Sequence, residues 1–169
     1  MIVAIILLVL AALVAAYCVW ALRLERRVEE TVDIEAPAHK VWAVLTDFPS
    51  YADWNPVITS IEGVLAEGER LNVAVAASGG GSNRFRAAVL RVSPARQMRL
   101  LSRLGPGGLF DGEHYFVLEP RDEGTTRLTQ GERFTGVLLP LMNRVVADTE
   151  QDFIAMNEAV VARVGASRG

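Results

Sequence analysis

Apolar and polar positions divide the chain into two unlike parts. Residues 1 to 22 carry no charged side chain and run through Ala, Val, Leu and Ile, with Tyr17, Cys18 and Trp20 near the far end. As a helix this stretch is roughly 33 Å long, enough to cross a hydrocarbon core. From residue 28 onward the pattern changes to short alternating runs. Val28 to Ile34 alternates Val28, Glu30, Val32 and Ile34 with Glu29, Thr31 and Asp33, which predicts a strand. Ala36-Pro37 stops it, and Val41, Trp42, Val44 and Leu45 predict a short amphipathic helix over 38–46. Ser50 is placed to cap a second short turn that ends at Asn55-Pro56.

Six further strands follow, each closed by turn chemistry: 57–61, 70–77, 85–92, 97–104, 113–119 and 126–134. Their spacing predicts a meandering antiparallel sheet. Pro140 then suits the first turn of a long helix to about Val164. Met142, Val145, Val146, Thr149, Phe153, Met156, Val160 and Val164 form its apolar stripe. One strand, two short helices, six strands and a long helix make an α+β layout, a curved antiparallel sheet folded around the last helix.

Flanking charge refines the reading of the first segment. A signal peptide needs a basic leading region, which is missing here, and a lipoprotein signal needs a small residue where Tyr17 precedes Cys18. An uncleaved single-pass anchor is therefore expected over 1–22. A basic juxtamembrane linker at 23–27 follows, then a domain over 28–164 and a tail at 165–169. Arg23, Arg26 and Arg27 follow the span directly, which places the domain on the cytoplasmic side of the membrane.

Composition removes several functions. The formal net charge is −3, a poor match to nucleic acid. The single cysteine lies within the span, so neither a disulfide nor a cysteine-based metal site is expected. His39 and His114 lack helical i, i+4 spacing, so no metal is expected either, and no cofactor is indicated. No feature points to a particular protein partner.

The order of elements and a set of motifs resemble the SRPBCC superfamily. It includes START-like lipid carriers, polyketide cyclase/dehydrase-like proteins and plant pathogenesis-related ligand binders. The residues that carry the resemblance begin with Ala36-Pro37, Val41-Trp42 and the run Asp47-Phe48 through Trp54-Asn55-Pro56. Ile61-Glu62-Gly63, Phe110-Asp111-Gly112-Glu113-His114 and Leu118-Glu119-Pro120 continue it. Thr125 to Leu128, Gly131 to Phe134 and Met156 to Ala159 complete the set. The resemblance implies a helix-grip fold, in which a seven-stranded sheet grips the C-terminal helix around a cavity. It also implies a hydrophobic or amphipathic ligand such as a lipid, a quinone or a polyketide-like molecule.

Side-chain alternation selects the inward faces of the last two strands. His114, Phe116 and Leu118 share one face, while the other begins and ends in Glu113 and Glu119. Leu128, Gln130, Glu132 and Phe134 alternate with Arg127 and Arg133, which belong in water. Folding about residue 123 sets Leu118 against Leu128, Phe116 against Gln130 and His114 against Glu132. The last pair is expected to meet within hydrogen-bond distance. It either satisfies itself as scaffold or binds the polar head of a ligand, and an acid–base role is a third reading. Trp42, Trp54, Phe85, Phe153 and Met156 are the apolar candidates for the cavity wall, or plain core. Asn157 lies beside the stripe of the last helix, and the loop 105–109 is either a lid or an ordinary turn.

Three functions remain in contention: a membrane-anchored ligand-binding module, a cyclase/dehydratase-type enzyme using His114 and Glu132, and a membrane-recruited interaction module. The size of the cavity separates the third from the other two.

Overall fold

Seven antiparallel strands, taken in the order β1-β7-β6-β5-β4-β3-β2, build one curved sheet in the computed structural model. The structure describes residues 1–76, 81–122 and 124–166. The strands are β1 (Glu25–Ile34), β2 (Ile58–Glu62), β3 (Arg70–Ala76), β4 (Ser82–Ser93), β5 (Gln97–Arg103), β6 (Asp111–Pro120) and β7 (Thr126–Thr135). Helix α1 (Ile2–Ala21) precedes them, α2 (Ala38–Thr46) and α3 (Tyr51–Trp54) lie between β1 and β2, and α4 (Asn143–Ala166) closes the fold. The expected helix-grip architecture is therefore present.

Local chemistry explains the element boundaries. Pro37, extended at φ −67° and ψ 149°, leads into α2 at Ala38, where its missing N–H costs nothing. The buried Tyr51 hydroxyl donates to the Leu45 carbonyl at 2.8 Å and ties α3 back to α2. Asn55 starts β2: its Oδ1 accepts from the backbone N–H groups of Val57 and Ile58 at 2.9 and 2.7 Å. Ser50 does not cap α3 through its hydroxyl; that group donates to the Asp47 carbonyl and accepts from Trp54 Nε1. Register shifts in the β2–β3 and β4–β5 pairings bend the sheet. A short 3-10 turn at Leu139–Leu141 takes up Pro140, so the long helix begins at Asn143 rather than at the proline. The core between sheet and helix includes Val28, Leu71, Val89, Met98, Phe116, Leu128, Phe153, Met156 and Val160.

The passage from α1 into the domain is tighter than a linker over 23–27. Strand β1 already begins at Glu25, so Arg26 and Arg27 belong to the sheet. Ala21 is fully buried, and the Tyr17 hydroxyl donates to the Val137 carbonyl at 2.9 Å. Helix α1 is otherwise almost entirely exposed, with a mean hydropathy of 3.1 across its most apolar window. One apolar helix near the N-terminus, able by length and composition to serve as an anchor or a signal sequence, is what the structure establishes there.

Candidate functional site: a neutral polar cluster inside the grip

The β6–β7 hairpin has the register expected from alternation: Leu118 faces Leu128, Phe116 faces Gln130 and His114 faces Glu132. Across the turn, Arg121 N–H donates to the Thr125 carbonyl and Thr125 N–H to that of Asp122. Glu123, the pivot of the expected turn, lies outside the described residues.

Side-chain partnership differs from the expectation. His114 does not hydrogen-bond Glu132; its Nε2 lies 3.1 Å from Nε2 of the diagonal neighbour, Gln130. With Gln130 as donor the imidazole accepts at Nε2 and carries its proton on Nδ1. The same amide nitrogen reaches Met156 Sδ at 3.4 Å, while Gln130 Oε1, on a fully buried side chain, accepts no hydrogen bond. The His114 ring stacks on Phe153 at 5.0 Å between centroids and leans on Phe116 at 4.6 Å. The Glu132 carboxyl turns the other way, toward Gly112, where a Cβ would collide with its Oε1. That glycine is required for the carboxyl to lie flat on β6. Ser102, across from Gly112 on β5, donates to its carbonyl at 3.2 Å and lines the same corner.

Burial sets the protonation of both groups. It pushes the His114 imidazole down to about 4 and the Glu132 carboxyl up to about 7. Removal from water disfavours the charged form in each case, and no charged neighbour offsets it. Near neutral pH the imidazole is neutral and the carboxyl substantially protonated. Both residues still keep part of their surface accessible, unlike the sealed side chains beside them.

The remaining candidates separate into three groups. Phe116, Gln130, Phe134, Phe153 and Met156 are each at most 3 % exposed and pack into one wall. The space between sheet and α4 is therefore filled here, not hollow as expected. Trp42 and Trp54 are half-buried against the core, and Trp54 lies 4.9 Å from Tyr51, centroid to centroid. Phe85 is not part of that wall. It shares a sheet face with buried Ala87 and Val89 yet stands 37 % exposed. Pairing with β5 begins only at Ala87, so the first residues of β4 form a ribbon with a neighbour on one side.

Two concavities stand out, and both are open to solvent. One, of about 500 Å3, runs between β1 and α4 along Thr31, Val32, Ile154, Asn157, Val161 and Ala162. Glu30, Glu158 and Asn157 are among its polar members; Asn157 is 5 % exposed and its Oδ1 has no partner. The other, about 330 Å3, lies across β2, β3 and β4 around Ser60, Asn72 and Arg84. Among the described residues no cluster of His, Cys, Asp and Glu is placed to hold a metal.

Sequence reasoning missed Gly112 and Ser102 as parts of the site. A glycine two residues before an inward-facing polar residue is the signal that marks the first; Ser102 carries none.

No curated protein sequence matches the chain. Solved structures of the same fold are numerous. An aromatase/cyclase, Zhui from Streptomyces sp. R1128, superimposes with a TM-score of 0.66 at 24 % identity, covering 84 % of this chain and 94 % of its own. A START superfamily protein from Mycobacterium smegmatis gives 0.63 at 23 % identity over 83 % and 97 %. A point mutant of norcoclaurine synthase from Thalictrum flavum gives 0.66 at 13 % identity over 86 % and 98 %. At these identities the likeness shows the fold. The profile described as polyketide cyclase/dehydrase and lipid transport matches residues 25–164, from the first residue of β1 to the last turns of α4, and the chain belongs to that family.

Proposed function

We propose that the domain binds a small hydrophobic or amphipathic molecule, a lipid, quinone or polyketide-like compound, and that α1 anchors it to a membrane. The observation that carries the reading is the neutral polar cluster. His114, Gln130 and Glu132 sit on an otherwise apolar wall, and Gln130 Oε1 is a buried acceptor without a donor. A ligand with an apolar body and an uncharged hydroxyl or carbonyl head matches that surface. A protonated Glu132 and the Nδ1–H of neutral His114 donate to such a head, and no desolvated charge opposes binding. Access is to the accessible flank at Glu132, His114 and Ser102, because Phe153 and Met156 fill the centre. The arginines that flank α1 support a domain on the cytoplasmic side. Native mass spectrometry of the full chain released from nanodiscs tests the reading. A stoichiometric apolar adduct, lost when Ser102→Phe fills the accessible flank with the fold intact, is the expected result. An adduct-free chain that also fails to take up an environment-sensitive apolar dye overturns it.

A second reading rests on the same protonation states. Burial moves His114 and Glu132 to opposite sides of their ordinary values, leaving a neutral imidazole and a protonated carboxyl at facing positions of the hairpin. The Zhui neighbour is an aromatase/cyclase, and a base and an acid placed together are what general acid–base catalysis requires. A bell-shaped pH profile with such a substrate, abolished in both H114F and E132Q, would favour catalysis over carriage.

A further inference from the structure

The end of the domain nearest α1 is built unlike the other end. β1 leaves α1 after only three residues, and β7, β6 and β5 bring Thr135, Asp111 and Arg103 to the same end of the sheet. The β5–β6 loop and the β7–α4 segment close it. These two pieces are fastened to each other: Val137 N–H donates to the Gly108 carbonyl and Leu138 N–H to that of Leu109. The β7–α4 segment touches the anchor helix, and the β5–β6 loop lies beside the residue that follows it. The Tyr17 hydroxyl reaches the Val137 carbonyl, and a Cβ at Gly108 would lie 3.6 Å from the Leu22 side chain.

This contact fixes a depth. Tyr17 lies four residues before the end of α1, which is about 6 Å along the axis. The helix has about the length that spans a hydrocarbon core, so its end marks the core boundary. Val137, held at the level of Tyr17, then lies at or inside that boundary and not above it. The chain here reads Val137-Leu138-Leu139-Pro140-Leu141-Met142, an unbroken apolar run. Leu141 is 73 % exposed, Leu104 on the facing loop 52 % and Val145 at the start of α4 44 %. Internal hydrogen bonds serve the backbone N–H groups of Val137, Leu138, Leu139, Leu141 and Met142, as insertion into an apolar layer requires. Arginines fall in the adjoining segments, Arg23 and Arg26 just after α1, Arg103 at the end of β5 and Arg144 at the start of α4. Arg23 and Arg26 carry no ion pair among the described residues. Arg103 and Arg144 are held only at 3.7 Å, by Asp111 and Asp148.

We propose that this end of the domain is a second membrane contact: Leu104 and Leu141 insert into the interfacial layer while Arg23, Arg103 and Arg144 meet anionic lipid headgroups. The inference rests on the reading of α1 as a membrane span and goes beyond it. The domain is seated on the bilayer, not swung above it on a tether. The half-accessible flank of the polar cluster lies at the same end, since His114 and Glu132 are three residue pairs from the Asp111–Thr135 limit of the hairpin. An apolar ligand therefore passes between bilayer and site without crossing water. Exposed leucines beside cations on an anchored domain match an anionic bilayer surface in both apolar and electrostatic terms.

Full-length protein on a Cys18→Ala background, reconstituted in mixed phosphatidylcholine and phosphatidylglycerol vesicles, tests this. A polarity-sensitive fluorophore is placed at L104C or L141C, at V9C within α1, or at E119C on the far end of β6. The acyl chains carry a nitroxide quencher. The expected result is loss of emission with a blue shift at 104 and 141, approaching that at 9, and no loss at 119. Replacing phosphatidylglycerol by phosphatidylcholine should reduce the loss at 104 and 141 but not at 9. Strong quenching at 9 with 104 and 141 behaving like 119 overturns the seating and leaves the anchor standing. No quenching at 9 removes the anchor and the seating with it.

Discussion

The two faces of the β6–β7 hairpin share one register and treat charge in opposite ways. On the outer face Glu113 receives hydrogen bonds from Arg99 at 2.8 Å and from Arg133, whose own Nη1 continues to Glu25. Beside them the Tyr115 hydroxyl donates to Glu29 at 2.6 Å, its ring lies over Gly131, and the Arg99 guanidinium sits 4.9 Å above it. Burial by itself would raise the Glu113 carboxyl, but the bonds from Arg133 and Arg99 outweigh it and hold the group below 4.5. On the inner face, one residue along in each strand, His114 and Glu132 lack any such partner, and burial alone drives both toward neutrality. Water and arginines make the outer face a charged scaffold. Their absence makes the inner face a polar surface without charge, suited to ligand heads that are themselves uncharged.

Truncating the inner wall should do the most damage. Phe153→Ala removes both core burial and the ring stacked on His114 and should cost about 3–5 kcal/mol, read from denaturant midpoints. Glu113→Ala on the outer ladder should cost only about 1 kcal/mol in the same measurement, since its partners stay solvated. Equal losses would mean that the outer ladder is as integral as the core.

Next in size is the pH dependence of the inner pair. Glu132, at about 7 when folded against 4.5 unfolded, adds stability that is complete below pH 4.5 and is lost as pH rises through 7. His114, at about 4 against 6.5, adds stability that is complete above pH 6.5 and is lost as pH falls through 4. Between about 4.5 and 6.5 the two slopes oppose, and the wild type should be nearly flat. E132Q should expose the histidine alone, gaining stability with rising pH by an amount of order 2–3 kcal/mol. H114F should show the opposite slope. Parallel pH profiles for the two variants would show that the groups do not titrate as independent desolvated sites.

The outer ladder should respond to acid and salt instead. The lowered Glu113 carboxyl contributes stability present above its unfolded value of 4.5 and lost as pH falls below it. E113Q should remove that acid-side loss at a cost of about 0.5–1 kcal/mol in low salt, and less in molar salt. The smallest effect belongs to Tyr115→Phe. It removes a hydrogen bond to a half-exposed carboxylate and should cost about 0.5–1 kcal/mol, insensitive to ligand.

Much of this contrast between the two faces is legible in the residues themselves. Strict alternation in β6 and β7 separates His114, Phe116 and Leu118 from Glu113 and Glu119, and Gln130 and Glu132 from Arg127 and Arg133. Turn chemistry around Gly124 then aligns the strands, and the pairing observed is the one alternation requires. Alternation does not choose between a side chain's direct and diagonal neighbours. His114 takes Gln130 because Gly112 leaves a recess into which Glu132 turns away. Phe85 shows another limit. Its parity is right, but burial depends on a neighbouring strand that does not reach it.

Element order, the face of each strand, the stripe of α4 and the apolar length of α1 all follow from periodicity and composition, which are local properties of the chain. Whether the grip is hollow or filled, which polar atoms meet and how the anchor joins the domain are settled only by folding. Each depends on contacts between residues far apart in the chain. Tyr17 meets Val137 across 120 positions, and Phe153 and Met156 close over His114 and Gln130 from a helix that follows the sheet. No period within one segment records what another segment will place against it.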